Sequence, residues 1–210
     1  MSGAHKPHSD LPIFDPHGRF AAVAAHVLGI EGGYVDDIAD HGGATNYGIS
    51  LRFLKVEGAL DADHDGFKDY DLDFDDDIDG ADVRKLSRAD ALNLYYTCFW
   101  RRLQLDRLPL HIDAAVFDQA VNGGAVAAVK LLQVSVNVLA LTDPLTVDGD
   151  LGRHTVAAVA TVQRMMMANA LLSRYRMAAE ARYNAIVRAD PSQRKYLSGW
   201  VKRARSLGDV

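Results

Sequence analysis

Apolar side chains recur at three- and four-residue steps along most of this 210-residue chain, whereas few stretches alternate apolar and polar residues. The first series is Phe20, Val23, Val27 and Ile30, which predicts an amphipathic helix over 18–31. Because the helical period dominates, we expect a mainly α-helical protein with at most two or three short strands between residues 34 and 50. Further helices are predicted over 49–57, over 87–100 with Ser87 as the N-cap, over 113–121 and over 128–134, and one or two long helices over 155–188. Trp100 is expected in the core, with an exposed stacking platform as the alternative.

The stretch from Glu31 to Ser50 interrupts this pattern with glycines and short polar residues. Five of the 17 glycines lie at positions 32, 33, 42, 43 and 48, and glycine lets a backbone turn sharply or a ligand approach closely. Glu31 is expected in the last turn of the first helix, where partial burial and the negative end of the helix dipole both raise the pKa of a carboxyl group. A carboxylic acid that remains protonated near neutral pH can serve as a general acid.

Asp40 and Thr45 complete a candidate catalytic group with Glu31. A protonated carboxylic acid and a second carboxylate roughly 6.5–9.5 Å away, with a water between them, are the arrangement of an inverting glycosidase. Alternatively, Asp40 and Thr45 only shape the turn, as Asp and Thr often do. Aromatic faces suit sugar rings and short polar groups suit their hydroxyls, so the predicted substrate contacts of this stretch are Tyr34, Asn46 and Tyr47.

The same stretch closely resembles the signature of the glycoside hydrolase 108 family, which comprises bacterial and phage muramidases with a lysozyme-like helical fold. The Glu-Gly-Gly-Tyr segment of that family begins here at Glu31, and its Gly-Gly-Ala-Thr-Asn-aromatic-Gly-Ile segment begins at Gly42. The resemblance implies that Glu31 is the catalytic acid. Asp40 and Thr45 are similar to the Glu…Asp…Thr triad of phage-type lysozymes, with an Asp-to-Thr gap that is one residue shorter.

A second segment resembles the predicted peptidoglycan-binding region that accompanies this hydrolase family. Residues 117–124 read Phe-Asp-Gln-Ala-Val-Asn-Gly-Gly, and residues 148–155 are similar to an Asp-Gly-x-(Ile/Leu)-Gly-Pro-x-Thr turn in which Arg153 replaces proline. The resemblance implies a second lobe, with a sugar groove between the two lobes. Gln119 and Asn122, three residues apart on one helix face, are predicted to contact the substrate or, alternatively, only to form hydrogen bonds near a helix end.

Residues 61–82 form an acidic segment whose spacing predicts calcium binding. Eleven Asp and one Lys give it a net charge of −10, which leaves +5 for the rest of the chain. Alternating side-chain oxygens and one backbone carbonyl are the ligands of a calcium loop, and the segment resembles the loops of dockerins and thrombospondin type 3 repeats. The predicted ligands are Asp61, Asp63, Asp65, Phe67 and Asp69 in a first run, and Asp71, Asp73, Asp75, Asp77, Asp79 and Asp82 in a second run.

The second run follows the positions of an EF-hand, with Ile78 as the hydrophobic anchor at position eight. Asp76 stands at position six, where glycine usually turns the chain, and Leu72 stands at the twelfth position of the first run. The alternative is a disordered acidic loop, because each pair of adjacent carboxylates costs about 1 kcal/mol through repulsion near a surface. A bound calcium ion would be structural, and no cofactor is expected for catalysis.

The N-terminal segment, the single cysteine and the basic C-terminal segment give separate indications of where the protein is made and what it contacts. The first 17 residues are polar, contain three prolines and lack the apolar region of a signal peptide, so we expect synthesis in the cytoplasm and export by a holin or a secretion system. Cys98 excludes an internal disulfide. Residues 161–210 carry ten Lys or Arg against three acids, which suits contact with an anionic wall or membrane but equally suits simple solvation of helix faces.

Together these patterns predict a mainly α, lysozyme-like two-lobed fold with a small β-hairpin region and an acidic calcium-loop insert. The resemblance implies an N-acetylmuramidase that cleaves the β-1,4 bond between N-acetylmuramic acid and N-acetylglucosamine, by an inverting or a substrate-assisted mechanism. We also expect a monomer, and no sequence feature indicates a nucleic-acid site. The alternatives are a noncatalytic peptidoglycan-binding protein and a calcium-dependent wall-attachment protein. The predicted segments are a flexible arm over 1–17, a catalytic segment over 18–108 with the insert at 61–82, a peptidoglycan-binding helical segment over 109–190 and a basic amphipathic end over 191–210.

Overall fold

The described part of the protein is mainly helical, with one small β-hairpin. A computed structural model describes residues 18–29, 44–59 and 68–210, and in these ranges it contains nine α-helices and one two-stranded antiparallel sheet. This confirms the predicted fold class in its helical content and its hairpin. The chain forms two compact units that divide between Cys98 and Phe99, ten residues before the predicted boundary at 109.

Helix α1 (Arg19–Leu28) is amphipathic and buries Phe20, Val23 and Ala24. The ring of Phe20 packs against Tyr96, with the two ring centroids 5.1 Å apart. Gly29 adopts a left-handed conformation with φ 48° and ends the helix, as glycine commonly does at this position. The prediction that this helix continues to residue 31 is therefore wrong, because the first helix-ending glycine is Gly29 and not Gly32.

The hairpin consists of β1 (Thr45–Asn46) and β2 (Ile49–Ser50), which pair Thr45 with Ser50 and Asn46 with Ile49. Helix α2 (Leu51–Glu57) follows without a loop, because Ser50 is also its N-cap and accepts a hydrogen bond of 3.2 Å from the backbone N–H of Phe53. The strands and this helix lie where the sequence predicts a small hairpin and a short helix.

Helices α3 (Gly80–Lys85) and α4 (Arg88–Tyr95) follow the acidic segment. The predicted cap at Ser87 is confirmed, since its hydroxyl accepts from the N–H of Asp90 and the Asp90 carboxylate accepts from the N–H of Ser87. The chain continues from α4 as a π-helix over Tyr96–Arg101. Its buried Trp100 donates an indole hydrogen bond of 2.8 Å to Asp106, in agreement with the prediction of a core tryptophan.

The second unit is built around α5, a helix that is buried continuously over residues 112–120. Apolar side chains on all its faces require neighbours on every side, and α6 and α8 supply two of them. Tyr175 of α8 donates a hydrogen bond of 3.1 Å to the backbone carbonyl of Ala128 in α6. The helices of this unit are α5 (Ile112–Gly123), α6 (Ala125–Leu139), α7 (Arg153–Arg164), α8 (Ala168–Ala189) and α9 (Leu197–Ser206).

Short 3-10 helices complete the unit over Leu105–Arg107 and Pro191–Tyr196. None of the helices in the described ranges combines the length and the apolar character needed to span a bilayer.

Candidate functional site

The turn of the β-hairpin fits glycine alone at position 48. Tyr47 and Gly48 have φ values of 49° and 78°, as a two-residue hairpin turn requires. A Cβ atom placed on Gly48 would lie 2.6 Å from the hydroxyl oxygen of Tyr95 in α4. That hydroxyl donates a long hydrogen bond of 3.5 Å to the backbone carbonyl of Tyr47. Burial raises the pKa of Tyr95 to about 12, so the group remains a protonated donor at neutral pH.

Asn46 attaches the hairpin to the C-terminal end of α3. Its side chain is only 5% exposed, and its amide donates to the backbone carbonyls of Val83 at 3.0 Å and Leu86 at 3.2 Å. The last carbonyls of a helix have no partner within the helix, so a side-chain donor at this position satisfies buried acceptors. Asn46 and Tyr95 therefore fix the hairpin at two points, one on β1 and one on the turn.

The hairpin contains three of the predicted site residues. Thr45 and Tyr47 are half-buried, so each retains exposed surface. The sugar contact of Asn46 stays a prediction; the side chain is buried, and its amide donates to backbone carbonyls. The remaining predicted residues of this stretch, Glu31, Tyr34 and Asp40, lie outside the described residues.

Gln119 and Asn122 occupy different surroundings in the second unit. Gln119 is 1% exposed, and its amide donates a hydrogen bond of 2.9 Å to the hydroxyl of Tyr183. This burial and this bond favour the structural alternative, and the sugar contact stays a prediction. Asn122 is exposed and donates to the backbone carbonyl of Asp118, one turn earlier in α5, so its substrate contact stays a prediction.

The described part of the acidic segment is folded by hydrogen bonds between its carboxylates and its own backbone. Asp71 accepts from the N–H groups of Asp75 at 3.2 Å and Asp76 at 2.8 Å. Asp82, in the first turn of α3, accepts from Leu72 at 2.6 Å and from Asp79 at 2.7 Å. These bonds close a loop over residues 71–82.

Two groups of carboxylates converge in this loop and share Asp82. One ligand oxygen from each of Asp71, Asp73 and Asp82 lies within 4.8 Å of the others, and the same holds for Asp77, Asp79 and Asp82. Asp82 is fully buried, and this burial raises the pKa of its carboxyl group. Oxygen ligands from several carboxylates are what calcium prefers, so the residues present could hold such an ion.

Asp73 gives a more specific indication. Its Oδ1 atom is buried and, within the described residues, has no hydrogen-bond partner. Its Oδ2 atom lies 3.4 Å from the ammonium group of Lys85. A buried acceptor without a partner is costly, and a cation between Asp71, Asp73 and Asp82 would satisfy it.

The remaining predicted ligands are distributed as follows. Asp75 is exposed and belongs to neither carboxylate group, and Asp69 is buried outside both. The predicted anchor Ile78 is buried, and Asp76 has a left-handed φ of 73° at the position usually held by glycine. Aspartate tolerates that conformation better than most residues, which explains how the loop turns without glycine. Asp61, Asp63, Asp65 and Phe67 lie outside the described residues.

Comparisons with known proteins decide the family. Residues 24–124 match the family model described as glycosyl hydrolase 108, and residues 127–205 match one described as a predicted peptidoglycan domain. A solved structure entitled "Structure of Brucella abortus SagA" is 30% identical in sequence, covers 90% of this chain and 95% of its own, and superposes with a TM-score of 0.62. The chain belongs to the glycosyl hydrolase 108 family. A search of curated proteins found no match.

Membership of the glycosyl hydrolase 108 family confirms the resemblance stated from the sequence. It identifies the protein as a glycoside hydrolase of lysozyme-like fold, and the second match makes peptidoglycan its partner. The glycosyl hydrolase 108 match includes Glu31, Asp40 and the whole hairpin. The hairpin is thus the described part of the stretch from Glu31 to Ser50, in which the catalytic residues are predicted.

Proposed function

We propose that this glycoside hydrolase is an N-acetylmuramidase that cleaves the β-1,4 bond between N-acetylmuramic acid and N-acetylglucosamine. The observation that carries the proposal is the occurrence of a glycosyl hydrolase 108 segment and a peptidoglycan domain in one chain. The geometry of the hairpin supports it, because Thr45 lies beside a buried anchor, Asn46, and therefore has a defined position.

In the proposed mechanism Glu31 protonates the oxygen of the leaving sugar. Asp40, with help from Thr45, orients a water molecule on the opposite face of the ring and accepts its proton as the water oxygen bonds to the anomeric carbon, which inverts the anomeric configuration. The alternative is that the acetamido group of the substrate attacks its own anomeric carbon, in which case Asp40 only assists and the configuration is retained. No step needs a metal ion.

The decisive experiment compares the wild type, Glu31→Gln and Glu57→Gln on bacterial cells stripped of their outer membrane. Loss of a general acid typically lowers the rate by about 10²–10⁴-fold, so Glu31→Gln should clear the suspension at least about 100-fold more slowly. Glu57, at the end of α2, is the matched control and should retain the wild-type rate. Mass spectrometry of the fragments identifies the bond, and NMR of the fresh products identifies the anomer. Full lysis by Glu31→Gln would contradict the proposal.

A second element of the proposal is a structural calcium ion in the loop over residues 71–82. Asp71, Asp73 and Asp82 would hold it, and the buried Oδ1 atom of Asp73 is the observation that favours it. The ion would reduce the repulsion among the carboxylates and stabilise the start of α3, where Asp79 and Asp82 form a capping box. It would take no part in the cleavage reaction.

A further inference from the structure

The second unit has a cavity of about 580 Å³ between the loop over residues 142–150 and helix α7. Arg153, Ala157 and Thr161 line it from α7 at steps of four residues, so they share one helix face. Pro144 and Leu145 line it from the loop. Its volume falls in the range of small-molecule and peptide pockets, which are usually about 300–1,000 Å³.

Two side-chain amides hold the loop in place. Gln133, which is 1% exposed, donates to the carboxylate of Asp148 at 2.7 Å and accepts from the N–H of Gly149 at 2.9 Å. Asn137 donates to the carbonyl of Leu145 at 2.9 Å and accepts from its N–H at 2.8 Å. Because both arms of the loop are tied to α6, the cavity is formed before any ligand arrives, and such preorganisation lowers the entropic cost of binding.

Charges of both signs line the cavity. Asp143, Asp148 and Asp150 contribute carboxylates, and Arg153 contributes a guanidinium group. Hydrogen bonds from the N–H of Asp150 and the amide of Gln133 hold the pKa of Asp148 below its usual range, so this carboxylate stays ionised in mildly acidic solution.

The lining distinguishes between the two chemical parts of peptidoglycan. None of the described residues that surround the cavity is Phe, Tyr or Trp, the side chains on which sugar rings stack. The peptide stem, in contrast, carries free carboxylates and, where it is not cross-linked, the amino group of a diamino acid. An ammonium group suits the aspartates, and a carboxylate suits the planar guanidinium group of arginine.

We infer that this cavity binds the peptide stem of peptidoglycan by its zwitterionic end, with the ammonium group facing Asp143 and Asp148 and the carboxylate facing Arg153. The inference rests on the proposed function in one respect, that peptidoglycan is the substrate. It assigns the recognition of the peptide to the second unit, while cleavage of the glycan is proposed for the hairpin region of the first.

The test titrates the full-length, ¹⁵N-labelled protein with the tripeptide L-Ala–γ-D-Glu–meso-diaminopimelate, which has no glycosidic bond to cleave. We expect amide shifts concentrated in residues 142–155. Acetylation of the free side-chain amine should weaken binding about tenfold or more, because it removes a charge-assisted hydrogen bond. Shifts confined to another surface, or equal affinity for the acetylated peptide, would overturn the inference, as would shifts at 142–155 produced by a peptide-free disaccharide.

Two substitutions test the residues. Arg153→Pro is compatible with the helix, since position 153 is the first residue of α7, where proline is favoured. Arg153→Pro and Asp143→Asn should each weaken binding of the tripeptide about tenfold. Arg188 is an exposed arginine at the end of α8, and the control variant Arg188→Ala should bind the tripeptide as the wild type does. Unchanged affinity in both variants would contradict the assignment. The peptide titration tests stem binding, and the lysis assay with the wild type and Glu31→Gln tests the proposed muramidase activity. Because the two measurements are independent, failure of one proposal is distinguishable from failure of the other.

Discussion

The side-chain amide of Asn46 donates a hydrogen bond of 3.0 Å to the backbone carbonyl of Val83, which is 37 residues further along the chain. This bond joins the hairpin that carries Thr45 to the end of α3, the helix that follows the acidic loop. We therefore expect Asn46, which the sequence suggests as a sugar contact, to position the hairpin.

Asn46→Ala should lower both stability and activity. Leaving buried carbonyls without a donor costs about 1–3 kcal/mol, so the thermal midpoint should fall. Thr45 is the adjacent residue on β1, so its position should also be disturbed. At temperatures well below the thermal midpoint, the lysis rate should therefore decrease by more than the decrease in the fraction of folded protein explains. Asn184→Ala, which removes an amide that donates along α8 to the backbone carbonyl of Glu180, is the control and should leave the lysis rate unchanged. A lower midpoint with an unchanged lysis rate would restrict Asn46 to a purely structural role.

Gly48→Ala should be strongly destabilising for two separable reasons. A left-handed alanine costs about 1–2 kcal/mol, and its Cβ would also collide with the hydroxyl of Tyr95. Gly29→Ala, at a left-handed position with a φ of 48° and no described atom within 4 Å of the added carbon, measures the first cost alone. Adding Tyr95→Phe to Gly48→Ala should recover the difference in the free energy of unfolding. If the double variant shows the sum of the single losses, the predicted collision does not occur.

Calcium should stabilise the wild type against thermal unfolding, and a chelator should reverse the effect. At a concentration 100 times the dissociation constant, binding adds about 2.7 kcal/mol to the free energy of unfolding. Asp73→Asn should abolish this gain, whereas Asp75→Asn, at an exposed position outside both carboxylate groups, should retain it. Calorimetry with and without calcium is the measurement. Equal responses in the two variants would show that the ion binds elsewhere or not at all.

The stability of the calcium-free protein should depend on pH through Asp82. Burial raises the pKa of this carboxyl group in the folded state above its ordinary value of 3.8. Its contribution to stability is therefore greatest below the pKa of the unfolded chain and is lost as pH rises through the folded pKa. In the presence of a chelator, we compare the thermal midpoints of the wild type and of Asp82→Asn. The midpoint of the wild type minus that of the variant should increase as pH falls from about 7 toward 4. A difference that does not change with pH would contradict the assignment.

Gln119→Ala should reduce stability without changing substrate affinity. The variant leaves the buried hydroxyl of Tyr183 without its partner, at a cost of about 1–3 kcal/mol in the free energy of unfolding. Tyr183→Phe should produce a loss of similar size, because it leaves the buried amide of Gln119 unpaired. Lysis rates measured over a range of wall concentrations separate the two roles. A raised half-saturating concentration at full folding would restore the sequence-based prediction of a sugar contact.

Local patterns predicted the elements whose causes are local. The Ser87 cap, the helix that begins at Leu51 and the small hairpin each follow from residues that are neighbours in the sequence. The first helix is predicted over 18–31, whereas α1 ends at Leu28 with Gly29 as its left-handed cap. Several glycines in one stretch can each take the left-handed conformation, and tertiary packing selects among them.

The roles of individual side chains were harder to predict when their partners are distant in the sequence. Asn46 and Gln119 are both short polar residues near glycines, which favours an exposed loop or helix end. Their partners lie 37 and 64 residues away, so no local spacing indicates that both amides are buried. The carboxylate grouping was predictable, because Asp71, Asp73 and Asp82 lie within a single loop whose spacing is visible in the sequence.

Helix α3 has only six residues and is therefore about 9 Å long. Asp79 and Asp82 cap one end, and Asn46 binds the other. A cation held at the first end would act on the hairpin across roughly one Debye length at physiological ionic strength. Stem carboxylates make the wall polymer anionic, and a bare cluster of aspartates so near would repel it. Calcium binding to the loop would neutralise these aspartates, and added salt would screen them. Both should therefore increase the rate at which the protein associates with the wall.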